Sequence, residues 1–70
     1  MAGMDIMLNG GGLTLGDAAT TILELLQTQG LAERRVAVEV NGEIVPRGRH
    51  ATHALHDGDR VEIVHALGGG

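Results

Sequence analysis

The sequence predicts an α+β domain in which one main helix packs on one face of a mixed, four- to five-stranded sheet. Three observations lead there. Leu13–Leu15, Val36–Val40 and Arg60–His65 alternate with a period of two, as half-buried strands do. Ile22, Leu25 and Leu26 instead fall at i, i+3 and i+4, the apolar stripe of a helix. Turn-forming clusters separate these stretches at Asn9–Gly12, Gly16-Asp17, Asn41-Gly42 and Asp57-Gly58-Asp59.

Taken in order, Asp5-Ile6-Met7-Leu8 is a short apolar strand. It runs into Asn9-Gly10-Gly11-Gly12, residues that accept positive φ at little cost. With Leu13–Leu15 it makes an N-terminal hairpin whose loop is expected to be slightly longer than the tightest type. Gly16-Asp17 breaks the second strand. Thr21-Ile22-Leu23-Glu24 has the capping-box spacing, a hydroxyl followed three residues on by a carboxylate. Asp17 and Thr20 compete as caps, so the helix is expected to run from Ala18 or Thr21 to Gln29, with Leu23 widening its apolar stripe. Gly30 is a good left-handed terminator.

Leu31–Arg35 is a connection. Val36, Val38 and Val40 then share one face of a strand, and Asn41-Gly42 is a strong signal for a two-residue hairpin turn. Glu43-Ile44-Val45 returns, and Pro46 ends the strand because it has no N–H for the ladder. Arg47–His56 is polar and poorly periodic, with a single helical turn expected near Ala51–Leu55. After the Asp57-Gly58-Asp59 turn, Val61 and Ile63 lie on one side of the last strand. Hairpin, helix, hairpin, connector and strand suit the β-grasp, or ubiquitin-like, arrangement. Residues 1–67 are read as a single domain and residues 68–70 as a flexible glycine tail.

Composition removes several functions. Seventy residues leave little room for both a core and a deep catalytic cleft, so an enzyme is not expected. There is no cysteine, hence no disulfide, thiolate ligand or cysteine nucleophile. The net charge is −4, with 9 acidic residues against 5 arginines, no lysine and no aromatic residue. Nucleic-acid binding would require a basic footprint and stacking aromatics. An acidic protein suits a partner with a basic docking surface, but on charge alone solubility is the better explanation. Apolar runs are too short for a bilayer span, and Met1–Asp5 does not resemble a signal peptide. The expectation is a cytoplasmic protein, monomeric alone, that binds neither nucleic acid nor membrane.

His50, His53 and His56 are spaced by three, with His65 further on. Little helix is available to converge them, so they are expected to be surface histidines and no metal site is assigned. Asp57 and Asp59 are better explained by turn chemistry than by acid/base catalysis. Gly10-Gly11-Gly12 lacks the Lys-Ser or Lys-Thr of a phosphate loop. No residue is assigned a catalytic role. The arginine pairs Arg34-Arg35 and Arg47/Arg49 are read as solvated, and the exposed sheet face, including one side of Arg60–Val64, is the better docking candidate.

The C-terminal run Gly68-Gly69-Gly70 carries the functional signal. Glycine gives the thinnest polypeptide, able to thread a narrow channel in a partner. It presents the α-carboxylate of Gly70, a group with a pKa of about 3.3–3.7 that is ionised at neutral pH. A carboxylate can attack the α-phosphate of ATP to form an acyl-adenylate, which then accepts a sulfur or nitrogen nucleophile. A frayed end or a cloning scar would look the same in isolation. The glycines gain weight from following a β-grasp pattern that stops one short step earlier.

From about Met4 to Gly70 the chain resembles the ThiS family of thiamin-biosynthesis sulfur carriers. The resemblance rests on Thr21-Ile22-Leu23-Glu24-Leu25-Leu26, Val40-Asn41-Gly42-Glu43-Ile44-Val45-Pro46-Arg47, Asp57-Gly58-Asp59-Arg60-Val61-Glu62-Ile63 and the final Gly69-Gly70. The stretch from Asn41 to Arg47 is the most diagnostic. The Asp-Gly-Asp turn is also similar to that of related carriers, including the small subunit of molybdopterin synthase. The resemblance implies that the first and last strands pair in parallel at the centre of the sheet. It implies that an adenylating enzyme of the ubiquitin-activating type, using ATP and Mg, activates Gly70. Sulfur from a cysteine-persulfide donor then makes a thiocarboxylate, and thiazole synthase takes that sulfur. Gly70 would carry the sulfur, while Gly69, Gly68 and Leu67 would form the threading tail. No cofactor is implied on this chain itself. The same tail chemistry would serve a carrier for molybdopterin or another sulfur-containing product, or a ubiquitin-like protein modifier. A passive interaction module would leave the tail dispensable. Gly68 makes a triple glycine where a diglycine is typical, and His50 stands where a large aromatic is frequent. Met1-Ala2-Gly3 reads as a short extension before Met4.

Overall fold

The computed structural model describes residues 3–16 and 21–66. Five strands and one α-helix follow in the order β1 (Met4–Leu8), β2 (Gly11–Leu15), α1 (Ile22–Thr28), β3 (Val36–Val40), β4 (Glu43–Val45), a 3₁₀ turn (Arg47–Arg49) and β5 (Arg60–His65). The sheet order is β2-β1-β5-β3-β4. β5 runs parallel to β1 and antiparallel to β3, so the last strand is central, as the resemblance implies.

Both hairpins close through two-residue turns. Leu8 pairs with Gly11, and Val40 with Glu43. The turn residues all have positive φ: Asn9 at 50° and Gly10 at 86°, Asn41 at 53° and Gly42 at 88°. That is the backbone a type I′ turn requires, and its twist matches the strands. The first loop is therefore the tight kind, not the longer loop expected. Gly11 and Gly12 belong to β2, opposite Leu8 and Met7.

The helix starts at the Thr21 capping box; Asp17 and Thr20, the competing caps, lie outside the described residues. The Glu24 N–H donates to Thr21 Oγ1 at 3.2 Å, and the Thr21 N–H donates to Glu24 Oε1 at 3.0 Å. The Ile22 and Leu23 N–H groups donate to the His53 and His50 carbonyls at 3.1 and 2.9 Å, and the Leu25 N–H to the Thr21 carbonyl. The donors a helix start leaves open are thus all satisfied. At the other end Gly30, with φ of 72°, allows its own N–H to reach the Gln27 carbonyl and the Leu31 N–H that of Leu26. Both bonds of a Schellman motif are present.

Ile22, Leu25 and Leu26 bury one face of the helix against Ile6, Leu15, Val38, Val40, Val45, Leu55, Val61 and Ile63. This is the core, built from aliphatic side chains alone. The helical turn expected at Ala51–Leu55 falls instead at Arg47–Arg49. Pro46, with φ of −59°, stands at the start of that turn, where a missing N–H costs nothing. The Thr52 and His53 N–H groups still bond the Arg49 carbonyl, after which Ala54 bridges to Thr21 and Leu55 enters the core.

Candidate functional site: the last strand, its exit and the open sheet face

β5 leads to the glycine run and is fixed from both sides by asparagines of the two turns. The Ile63 N–H donates to Asn9 Oδ1 at 2.7 Å, and Asn9 Nδ2 donates to the Ile63 carbonyl at 3.1 Å. The Arg60 N–H donates to Asn41 Oδ1 at 2.9 Å, and the Asn41 N–H donates to the Arg60 carbonyl at 2.7 Å. Asn41 Nδ2 also donates to Asp59 Oδ1 at 3.0 Å. An Asn side chain carries both a donor and an acceptor, so it can imitate the peptide group of a missing strand neighbour. Asn9 does this beyond the point where β1 turns away. Asn41 and Asn9 were legible as turn residues only; their amide geometry is what ties the turns to β5.

The Asp57–Asp59 turn completes the anchorage. Asp57 Oδ1 accepts from the Asp5 N–H at 2.8 Å, and Asp59 Oδ2 accepts from the His56 N–H at 2.8 Å. Gly58, with φ of 89°, donates its N–H to the Asp5 carbonyl at 2.7 Å. Asp59 closes its own turn, as turn chemistry predicts, while Asp57 ties that turn to β1.

At its far end β5 pairs His65 with Val36, and the Ala66 N–H donates to the Arg35 carbonyl at 3.1 Å. The chain is therefore held in register up to Ala66. Leu67, Gly68, Gly69 and Gly70, the residues expected to thread and to carry sulfur, lie outside the described residues.

The histidines do not converge. Among the described residues no group of three or more His, Cys, Asp or Glu could hold a metal. His53 is half-buried, and His56 and His65 are exposed, as expected of surface residues. His50 is not one of them: it is buried at 5% exposure. Its Nε2 lies 3.0 Å from the Val45 carbonyl, which can only accept, so Nε2 carries the hydrogen. With its own carbonyl receiving the Leu23 N–H, His50 ties the end of β4 to the start of the helix. A polar ring with one satisfied donor fills a position read from sequence as exposed. The short i, i+5 reach to Val45 across Pro46 had no periodic signal to reveal it.

Among the described residues, no helix packs on the sheet face away from α1. Met7, Ile44 and Val64 are 44, 69 and 59% exposed, and all three lie on it. Val64 pairs with Ala37, while Glu39 lies opposite both Glu62 and Ile44. Aliphatic side chains and two facing carboxylates thus share one surface. Like charges directly opposite one another on a sheet are destabilising.

The ThiS family model matches residues 8–70. The chain belongs to the ThiS family. Over 93% of this chain and 98% of the other, it is 38% identical to the sulfur carrier protein ThiS of Bacillus subtilis. The crystal structure of the thiamine biosynthesis protein ThiS from Geobacter metallireducens superposes with a TM-score of 0.82 at 35% identity, covering 96% of this chain and 100% of that one. Part of a thiazole synthase from Paramagnetospirillum magneticum is also similar, 49% identical over 53 residues. This ThiS-family chain spans 16% of that protein's length and 17% of the thiazole synthase from Magnetococcus marinus. The β-grasp architecture expected from the sequence is thus the architecture of a ThiS neighbour. No helix among the described residues is long and apolar enough to cross a membrane.

Proposed function

We propose that this chain is a non-catalytic sulfur carrier for thiazole formation in thiamin biosynthesis, and that the α-carboxylate of Gly70 is the group that carries sulfur. The observation that bears most weight is the family match, which extends through the glycine run to residue 70. The structure adds a physical reason. β5 is clamped by Asn9, Asn41 and β3 as far as Ala66, so the residues that follow start from a rigid, defined point at the edge of the domain.

The chemistry needs no side chain of this protein. With Gly70 as the terminal residue, a carboxylate oxygen attacks the α-phosphorus of ATP bound with Mg to an adenylating enzyme, and pyrophosphate leaves. The terminal sulfur of a cysteine persulfide attacks the acyl carbon, and AMP leaves. A second thiol cleaves the resulting acyl disulfide, taking the donor cysteine into a new disulfide and releasing the thiocarboxylate. Thiazole synthase then receives the sulfur. Gly69 and Gly68 let the tail pass a narrow entrance because they have no side chain, and Leu67 marks the end of that segment.

The open sheet face supports docking. Ile44 and Val64 provide apolar area, and the Glu39–Glu62 pair offers charge to a basic patch on the activating partner. Removing Gly70 abolishes sulfur loading while thermal unfolding stays that of the full chain. Loading that persists in the shortened protein contradicts the assignment.

A further inference from the structure

Four of the five arginines fall between Arg34 and Arg49 in a chain of net charge −4. Two of them, Arg34 and Arg47, stand at a pocket of about 150 Å³ on the helix side of the sheet. Its apolar lining comes from Leu23 and Leu26 of the helix, Ala32 of the connection and Val36 of β3. Leu23 is half-buried because it faces this pocket and not the core. Neither Arg34 nor Arg47 has an ion pair or side-chain hydrogen bond among the described residues. Both side chains are exposed. The pocket adjoins the exit of β5, since Ala66 is bonded to Arg35, the residue between Arg34 and Val36.

A cavity of about this size accepts a benzene-sized group. Two guanidinium groups without a partner among the described residues, at a largely apolar pocket, select an anion that also carries hydrocarbon, because arginine binds carboxylates in a planar, two-pronged fashion. Anchors of this kind, one large side chain in a pocket with paired charges at its rim, dominate protein interfaces. We propose that the pocket receives one aromatic or branched side chain of a protein partner that handles the tail, with an adjacent carboxylate of that partner pairing with Arg34 and Arg47. The open face, rich in Glu, calls for a partner of the opposite charge, so this corner is a second and chemically distinct docking surface. The assignment of the partner rests on the carrier function proposed above.

Calorimetric titration of the full chain against purified adenylating enzyme, and separately against purified thiazole synthase, tests it. The variants are Arg34→Glu/Arg47→Glu, which reverses the charge, and Ala51→Leu, which fills the pocket from an exposed position on its rim. For one of the two enzymes the dissociation constant is expected to rise about tenfold or more with each variant. Arg34→Lys/Arg47→Lys restores part of the affinity lost on charge reversal. Binding of both enzymes to every variant within about twofold of the wild type overturns the pocket. That outcome leaves the carrier function standing, because sulfur loading of Gly70 is read independently by mass.

Discussion

The two faces of the sheet use the same residue types to opposite ends. Under the helix, Val38, Val61 and Ile63 meet Ile22, Leu25 and Leu26 in an aliphatic cluster. On the other face Ile44, Val64 and Met7 are left in water beside Glu39 and Glu62. The helix-side residues contribute stability by leaving water on folding. Those on the open face contribute less of it until something covers them, and like charges at opposite positions of a sheet, as Glu39 and Glu62 are, disfavour the fold. A domain with so small a core keeps such a face only at the expense of its margin. The contrast separates residues that hold the fold from residues that meet partners.

The sharpest way to break this contrast is to cut the covered face. Leu25→Ala removes a side chain that is fully buried, at a cost of about 2–5 kcal/mol. A domain of this size is expected to have only about 3–5 kcal/mol in total, so loss of the cooperative unfolding transition in circular dichroism is the expected outcome. Ile44→Lys combined with Val64→Thr should leave the unfolding free energy in urea nearly unchanged, within about 0.5 kcal/mol, since surface changes rarely exceed that and the lysine stands opposite Glu39. The same pair should weaken binding to the activating enzyme by about tenfold or more. A large loss of stability instead would place these residues in the folding core.

Smaller effects sharpen the comparison at its margins. His50→Ala removes the only side-chain donor to the Val45 carbonyl among the described residues and opens space behind the helix start. A buried polar group left without its partner makes a loss of about 1–3 kcal/mol in chemical denaturation the expected result. Thr21→Ala should cost about 1 kcal/mol through loss of the capping box, with Thr21→Ser recovering most of it. Glu62→Gln should raise stability by about 0.2–1 kcal/mol, because it relieves the repulsion with Glu39. It should also slow association with a basic partner.

Much of the fold was legible in the sequence because local chemistry and global pattern agree. Asn41-Gly42, the alternation of Val36–Val40 and the Thr21–Glu24 box each specify geometry within a few residues, and each appears as expected. Asn9-Gly10 followed by two more glycines was ambiguous: glycine fits either a loop or a strand, and only pairing with Leu8 and Met7 decides. The position of the 3₁₀ turn depended on Leu55 reaching the core and Ala54 bridging to Thr21, contacts distant in sequence. His50 was misplaced for the same reason, since burial of a histidine follows from a tertiary bond and leaves no periodic trace. The central parallel position of β5 came from resemblance, because alternation shows that a strand exists and not which strand lies beside it. Of the candidate site, the tail was named from its glycines and lies outside the described residues; the sheet face was named as a docking candidate, but which side of each strand it takes could not be read, since that is a property of the assembled sheet.

The most direct measurement is an intact mass of the protein isolated from cells that also express the adenylating enzyme and the sulfur donor, with fragmentation to locate any change. A gain equal to sulfur minus oxygen, confined to Gly70, is the predicted result. An unchanged mass, in a preparation where the adenylating enzyme binds the protein and cleaves ATP, would contradict sulfur carriage at the tail.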